Sequence, residues 1–346
     1  MPRLVAAPDK FRGTATAPQV AAAAAAAARA AGWTVDEAPM ADGGEGTLEV
    51  LGGEPRRTTV TGPLGQPVSA RWSMRPAGPG DPGPTAVIEM ARAAGRMLVP
   101  EPSGDDPVRA TTAGVGELVI AAVAEGARRI VVAVGGSATT DGGWGAVQAI
   151  GSRRRVDGVE LVVACDVQTP FTEAASVFGP QKGATPRQVD LLTRRLTELA
   201  ARYRDDLGVD VEQIPGAGAA GGLAGGLAAL GARLVPGFDL IADLVDLPHR
   251  LERADAVVTG EGHLDLSSLD GKVVGSVARA VAGRAPLLCV VGAAETDAAG
   301  RLAAGPGDVE VVDLSLWFGE ERSRSDTVQL VAEVVSGWLA RHPSGD

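Results

Sequence analysis

The sequence predicts an α/β protein in which both chain ends, residues 1–56 and 245–346, build one parallel-sheet domain. The middle, residues 57–244, forms an inserted mixed α/β domain. Three observations carry this. Short apolar runs alternate with helical stretches at the N-terminal end, the pattern of βαβ units. From Arg57 the texture changes to alternating, Thr/Val-rich segments. Near Ala254 the βαβ style returns. A chain of 346 residues, 45% hydrophobic and 22% charged, is long enough for two cores and lies within the globular range.

The elements follow in order. Residues 3–7 are an apolar run stopped by Pro8-Asp9, and residues 17–31 are Ala-rich and closed by Gly32: strand, loop, helix, C-terminal glycine. Alanine is the best helix former, so the 21–28 tract is helix and not linker. Residues 34–39 make a second strand that runs into the loop 40–47. The segments 57–61, 68–74 and 85–89 are antiparallel strands around a Pro/Gly-rich loop at 76–84. A helix near 115–125, strands at 129–134 and 160–164, and a helix at 186–204 come next. After the Gly-rich stretch 216–226, strands at 254–258, 286–291 and 309–314 alternate with helices, the last at 327–341.

Composition excludes several functions. A net charge of -11 gives no basic stripe, and 3% aromatic residues leave few rings for stacking bases, so no nucleic-acid partner is expected. Cys165 and Cys289 sit far apart in apolar runs, which reads as buried thiols in a reducing compartment without a disulfide or zinc framework. Asp9 and Lys10 interrupt any signal-peptide core, and Glu125, Arg128 and Arg129 cut the apolar run that begins at Leu118. A cytoplasmic location without a membrane segment is therefore expected. The expected assembly is a homodimer. Of 32 basic residues only Lys10, Lys182 and Lys272 are lysines, and asparagine is absent. A compact ammonium is not reproduced by the planar fork of arginine, so these three positions are worth inspecting.

Three glycine-plus-carboxylate loops follow apolar strands, at 41–47, 135–143 and 259–265. In open α/β sheets the ligand crevice lies at the carboxyl ends of the strands. Glycines there let backbone N–H groups approach phosphate, and carboxylates can hold Mg²⁺ or take a hydroxyl proton. One such loop is an ordinary turn; three with the same chemistry point to a site. Familiar signatures are missing: there is no Walker-type P-loop, no Gly-x-Ser-x-Gly elbow, and no metal-ligand spacing among His249, His263 and His342. Gly216-Ala-Gly218-Ala-Ala-Gly221 fits a dinucleotide pattern but follows Pro215, a weak match.

Seven segments in chain order resemble the motifs of the bacterial type I glycerate kinase family. They are Ala7-Pro-Asp-Lys-Phe-Arg-Gly-Thr14, Ala41-Asp-Gly-Gly-Glu-Gly-Thr47, Val134-Gly-Gly-Ser-Ala-Thr139, Ala164-Cys-Asp-Val167, Phe178-Gly-Pro-Gln-Lys-Gly-Ala-Thr185, Gly216-Ala-Gly-Ala-Ala-Gly-Gly222, and Thr259-Gly-Glu-Gly262 with Gly271-Lys272. The resemblance spans nearly the whole chain. It implies ATP-dependent phosphorylation of D-glycerate at the 2-hydroxyl, with Mg²⁺. It also implies a Rossmann-like domain made from both chain ends, an inserted middle domain, and an active site in the cleft between them. The sequence departs from the family pattern at Thr140 and Thr169, where asparagine is usual. It departs again at His263 and at Ser267-Ser268, where Arg and a Gln-Thr pair are usual. The stretch 151–159 is shorter than in the family.

Phosphoryl transfer is mostly positioning and charge neutralisation, which assigns the roles. Asp42 and Glu45 are expected at glycerate or the metal. Gly135, Gly136, Ser137 and Thr139 cradle phosphate. Asp166 is a general base or Mg²⁺ ligand, Lys182 and Lys272 neutralise charge, and Glu261, a metal ligand, lies with Asp265 near the metal or the acceptor. Asp9, Lys10, Gly43, Gly44, Gly260 and Gly262 complete the substrate and phosphate set. Asp42, Asp166 and Asp265 all stay open as the base. Three other readings stay open: a kinase for another small hydroxy acid, a non-catalytic ligand-binding relative, and an NAD enzyme resting on the Gly216 loop alone.

Overall fold

In the computed structural model, which describes residues 1–78, 80–104 and 106–342, the chain divides into two units. One consists of Met1–Asp42 and the chain from Phe238 onward, the other of Gly43–Gly237. Both joints fall earlier than the changes of texture at 56/57 and 244/245. The first is set by the short helix α2 (Thr47–Leu51), because Glu89 of the second unit accepts the N–H groups of Gly46 and Leu48 at its start.

The first unit is built on a parallel sheet. Numbered along the whole chain, its strands are β1 (Arg3–Ala6), β2 (Thr34–Glu37), β9 (Ala256–Leu264), β10 (Leu287–Ala294) and β11 (Val309–Asp313), in the order β11-β10-β9-β1-β2. β1 pairs with both β2 and β9 in parallel, with Leu4 opposite Val35 on one side and Ala256 on the other. The two chain ends therefore share one sheet. Within the unit this is a doubly wound order, and its direction of winding reverses between β1 and β9, the place where such sheets open a ligand crevice at their carboxyl ends. Helix α1 (Ala17–Ala30) starts with a capping box between Thr16 and Gln19 and carries proline in its first turn. Its small alanine face packs with Val20 against Leu330, Val334 and Trp338 of the last helix, Thr327–Arg341, over Leu4, Val258 and Val290 of the sheet.

The segment 259–265 differs from expectation: residues Thr259–Leu264 are not a loop but the second half of β9, paired with β10 as far as Ala294. Glycine makes the close pairing possible. A Cβ on Gly260 would run into the carbonyl of Val290, and one on Gly262 would meet the backbone of Phe11 and Arg12 at 2.8–3.0 Å.

The second unit contains a mixed sheet in sequential order β3 to β8. β3 (Glu54–Thr61), β4 (Pro67–Arg75) and β5 (Thr85–Glu89) are antiparallel neighbours. β5 then pairs in parallel with β6 (Arg129–Ala133), followed in parallel by β7 (Glu160–Ala164) and β8 (Arg233–Val235). Trp72, Ile88, Leu118, Ile130, Phe171 and Tyr203 are buried in its core. The stretch Asp106–Ala124 is long and apolar enough by composition to cross a membrane. Here it forms two helices, Asp106–Arg109 and Ala113–Ala124, and Val115, Leu118, Val119 and Ala122 are spent on that core. The Gly-rich stretch becomes the buried helix Ala219–Ala229, whose first turn is left-handed at Ala220, Gly221 and Gly222. A Cβ on Gly221 would collide with the carbonyl of Thr139, so glycine serves close packing there.

Candidate active site

At the switch point of the first sheet, the chain leaving β1 continues alongside β9. The N–H groups of Ala7 and Asp9 donate to the carbonyls of Val258 and Gly260, each at 2.8 Å, and the Thr259 hydroxyl donates to Ala7 at 2.8 Å. This sets Asp9 near Glu261, where its charge is felt. The Lys10 ammonium lies 3.7 Å from Asp9 Oδ1 and 4.0 Å from Asp42 Oδ1. Burial raises the Asp9 carboxyl to about 6; Lys10 pulls it down and Asp42 pushes it up. Glu261 is raised to about 7, chiefly by burial and further by the carboxylates of Asp9 and Asp265, while Ser268 and Lys272 oppose the rise. Its Oε1 is buried and has no hydrogen-bond partner among the described residues.

Asp265 is committed differently. It caps the 3-10 turn Leu266–Leu269, accepting from the Ser268 N–H at 3.0 Å and from the Ser267 hydroxyl. Lys272 in turn donates to Ser267 Oγ at 2.6 Å. Ser267 and the turn's N–H groups, with Lys272, hold the Asp265 carboxyl below its usual range. His263 is exposed on β9.

In the second unit, Gly43 and Gly44 lead into α2. Glu89 Oε1 accepts from Gly46 N–H at 2.9 Å and from Leu48 N–H at 3.1 Å, and its Oε2 accepts from Arg92 Nε at 2.9 Å. Glu45 is exposed at the tip. The loop 135–143 between β6 and the helix Trp144–Ile150 is tied down from several sides. Arg96 N–H donates to Gly136 O, Ala138 N–H to Ala94 O, and Gly142 N–H to Gly221 O, each at 2.9 Å. By contrast, the N–H groups of Gly136, Ser137, Thr139 and Thr140 donate to no other described residue. Backbone donors left without an internal acceptor are the kind of group that can receive an anion. Asp141 closes the loop, accepting from Thr112 N–H at 2.8 Å and from Gly143 and Gly145 N–H at 3.1 Å.

Asp166 is exposed just past β7 and accepts from Gly237 N–H at 2.6 Å. Lys182, in contrast, is only 4% exposed. Its ammonium donates to the Thr139 carbonyl at 2.6 Å and lies 5.8 Å from the centre of the Phe178 ring. Burial lowers it to about 7, with Asp141 opposing.

The structure thus brings together Asp9, Lys10, Asp42 and Glu261 in one unit. In the other it links the loop 135–140 with Lys182. Sequence reasoning missed Glu89 and Arg92, which holds it, and placed Asp141 in the second glycine loop without giving it a role. Glu89 reaches backbone donors 41 and 43 residues away and Asp141 reaches Thr112 across 29, and no local pattern marks those bonds. Among the described residues no three His, Cys, Asp or Glu side chains converge as a metal cage. Mg²⁺ carried on phosphates needs only one or two carboxylates, and the unpartnered oxygen of Glu261 fits that donor chemistry.

Comparison with known proteins agrees with these motifs. A model of the glycerate kinase family matches in two segments, residues 4–155 and 152–311. A glycerate kinase of Bacillus subtilis (strain 168) is 39% identical over 316 residues, 80% of this chain and 81% of that protein. A glycerate 2-kinase of Escherichia coli (strain K12) is 37% identical over 309 residues, 78% of this chain and 80% of that one. A solved structure assigned as glycerate kinase 2 from Salmonella typhimurium LT2 aligns over 99% of both chains with a TM-score of 0.81 at 32% identity. Matched along both units in sequence and along nearly its full length in structure, the chain belongs to the glycerate kinase family and is a kinase, a phosphotransferase with an alcohol group as acceptor.

Proposed function

We propose that the protein transfers the γ-phosphoryl group of ATP to the 2-hydroxyl of D-glycerate, releasing ADP and 2-phosphoglycerate. The observation that carries this reading is the loop 135–140, whose N–H groups at Gly136, Ser137, Thr139 and Thr140 face no internal acceptor. Donors fixed in advance around phosphate oxygens stabilise charge in the transition state without reorganising. We assign the nucleotide phosphates to this loop, with the Ser137 hydroxyl as a further donor.

Lys10 and Lys272 supply positive charge in the first unit. Asp9, held at about 6, is the carboxylate poised to accept the proton of the acceptor hydroxyl near neutral pH. Asp42, beside Lys10, orients the acceptor. Asp265 is a poorer base than Asp9, since its Oδ1 accepts from its own turn and its carboxyl is held below the usual range. Mg²⁺, when bound with the nucleotide, supplies neutralisation of phosphate charge, and Glu261 would hold it.

A second reading is favoured by His263 and Ser267, which stand where the family commonly has Arg and Gln: the acceptor is a different small hydroxy acid. An ADP-release assay with Mg-ATP and a panel of D-glycerate, L-glycerate, glycolate, lactate and tartronate separates the two. D-glycerate is expected to give the highest kcat/KM. A faster alternative acid supports the second reading, and no stimulation by any of them overturns both.

A further inference from the structure

Lys182 invites the role of a phosphate ligand, since it is one of three surviving lysines in a family motif. Its surroundings argue otherwise. The void beside it, lined by Arg96, Val99, Asp106 and Ala138, measures about 10 Å³, room for no more than one water. With the side chain itself buried, the described residues leave no room for a phosphate oxygen at the ammonium. The ammonium is instead spent on the backbone, at 2.6 Å from the Thr139 carbonyl, in the middle of the loop whose N–H groups lack partners. Gly221 packs against the same carbonyl from another side, and the Thr139 hydroxyl beside it is buried and unpartnered. Neighbouring bonds clamp the loop at Ala138 and Gly142. The peptide between Thr139 and Thr140 is the part that these bonds leave to Lys182.

A trans peptide points its carbonyl and its N–H in opposite directions. Fixing the Thr139 carbonyl toward Lys182 therefore fixes the Thr140 N–H away from it, where no described residue accepts it. We propose that Lys182 is a positioning residue: its ammonium locks the 139–140 peptide so that the loop's N–H groups are already aimed at phosphate, and it never touches the phosphate itself. The inference rests on the reading of 135–140 as the phosphate cradle.

The test uses amide NMR and nucleotide binding, with the non-hydrolysable analogue AMP-PNP as probe, on the full chain and on Lys182→Met and Lys182→Gln. In the wild type, AMP-PNP should shift the amides of Gly136, Ser137, Thr139 and Thr140; if it does not, the cradle reading fails. Given those shifts, Lys182→Met should disturb the same amides before any nucleotide is added and raise the AMP-PNP Kd at least tenfold. Lys182→Gln, which keeps a donor for the Thr139 carbonyl, should recover part of the loss. Undisturbed loop amides in nucleotide-free Lys182→Met would overturn the positioning role, whether or not affinity falls.

Should the Met variant fail to fold, the Gln variant and a pH series decide. Among the described residues, Asp141 acts on the Lys182 ammonium by its charge, and Arg96 and Asp106 line the void beside it. Wild-type affinity should fall from pH 6 to pH 8.5 as the ammonium loses its proton, and the Gln variant should lack that component. Identical pH profiles for the two proteins would overturn the proposal.

Discussion

Glu89 accepts the N–H of Gly46 at 2.9 Å, a bond that spans 43 residues of sequence and fixes the entry to α2. The same carboxylate, 1% exposed, also takes Leu48 N–H and Arg92. Removing it strands two backbone donors and a guanidinium. Glu89→Ala should therefore destabilise the fold by about 2–4 kcal/mol, and Glu89→Gln, which keeps a carbonyl acceptor, by clearly less. Urea denaturation checks this, and equal midpoints for wild type and Glu89→Ala would show that the loop is held by something else.

A second prediction concerns pH. The Glu261 carboxyl moves from 4.5 to about 7 on folding and that of Asp9 from 3.8 to about 6. A carboxyl raised in the folded state binds more protons there than in the unfolded chain, so its contribution is present in full below pH 4 and is lost as pH rises toward 7. Glu261→Gln removes the buried charge and should raise Tm at pH 8 while leaving it nearly unchanged at pH 4.5. A lower Tm for the variant at pH 8 would mean that the Glu261 carboxylate is stabilised in the ligand-free fold.

Asp265 offers a test that separates capping from catalysis. Asp265→Asn retains an acceptor for the Ser268 N–H and should keep both stability and turnover within a few-fold. Asp265→Ala loses the cap and should cost about 1 kcal/mol. A loss of a thousandfold or more in kcat for the Asn variant, with its stability intact, would restore Asp265 as the base.

Lys272 lies at the surface of the first unit, donating to Ser267, so its charge contributes little to the fold. Lys272→Met should leave the denaturation midpoint within about 0.5 kcal/mol of wild type and lower kcat by about 10²–10³-fold. Arginine, with its donors fixed in one plane, should not restore the rate. Normal kinetics in Lys272→Arg would make this lysine an accident of composition.

The pairing of the two chain ends was legible because fully buried parallel strands read as unbroken apolar runs, as at Leu4 to Ala6 and at Ala256 to Val258. Helix α1 was legible from alanine and from the Gly32 that closes it. Thr259 to Leu264 read as a loop because glycine and carboxylate dominate it; its strand character comes from the closeness of β10 and of the Phe11–Arg12 backbone, which no local pattern records. β8, three residues from Arg233 to Val235, exists only because β7 offers it a ladder. The chemistry was half legible. Composition singled out Lys182, but that it spends its ammonium on the Thr139 carbonyl is a property of packing. Glu89 and Asp141 look like ordinary acids until the backbone donors they bind are seen.

The central claim is phosphorylation of D-glycerate on its 2-hydroxyl by ATP. ³¹P NMR of a mixture of the protein, D-glycerate, ATP and Mg²⁺, read against authentic phosphoglycerates, tests it most directly. The account predicts growth of the 2-phosphoglycerate resonance in step with ADP. Phosphate appearing on the 3-hydroxyl would contradict the regiochemistry, and ATP left unchanged beside D-glycerate would contradict the account as a whole.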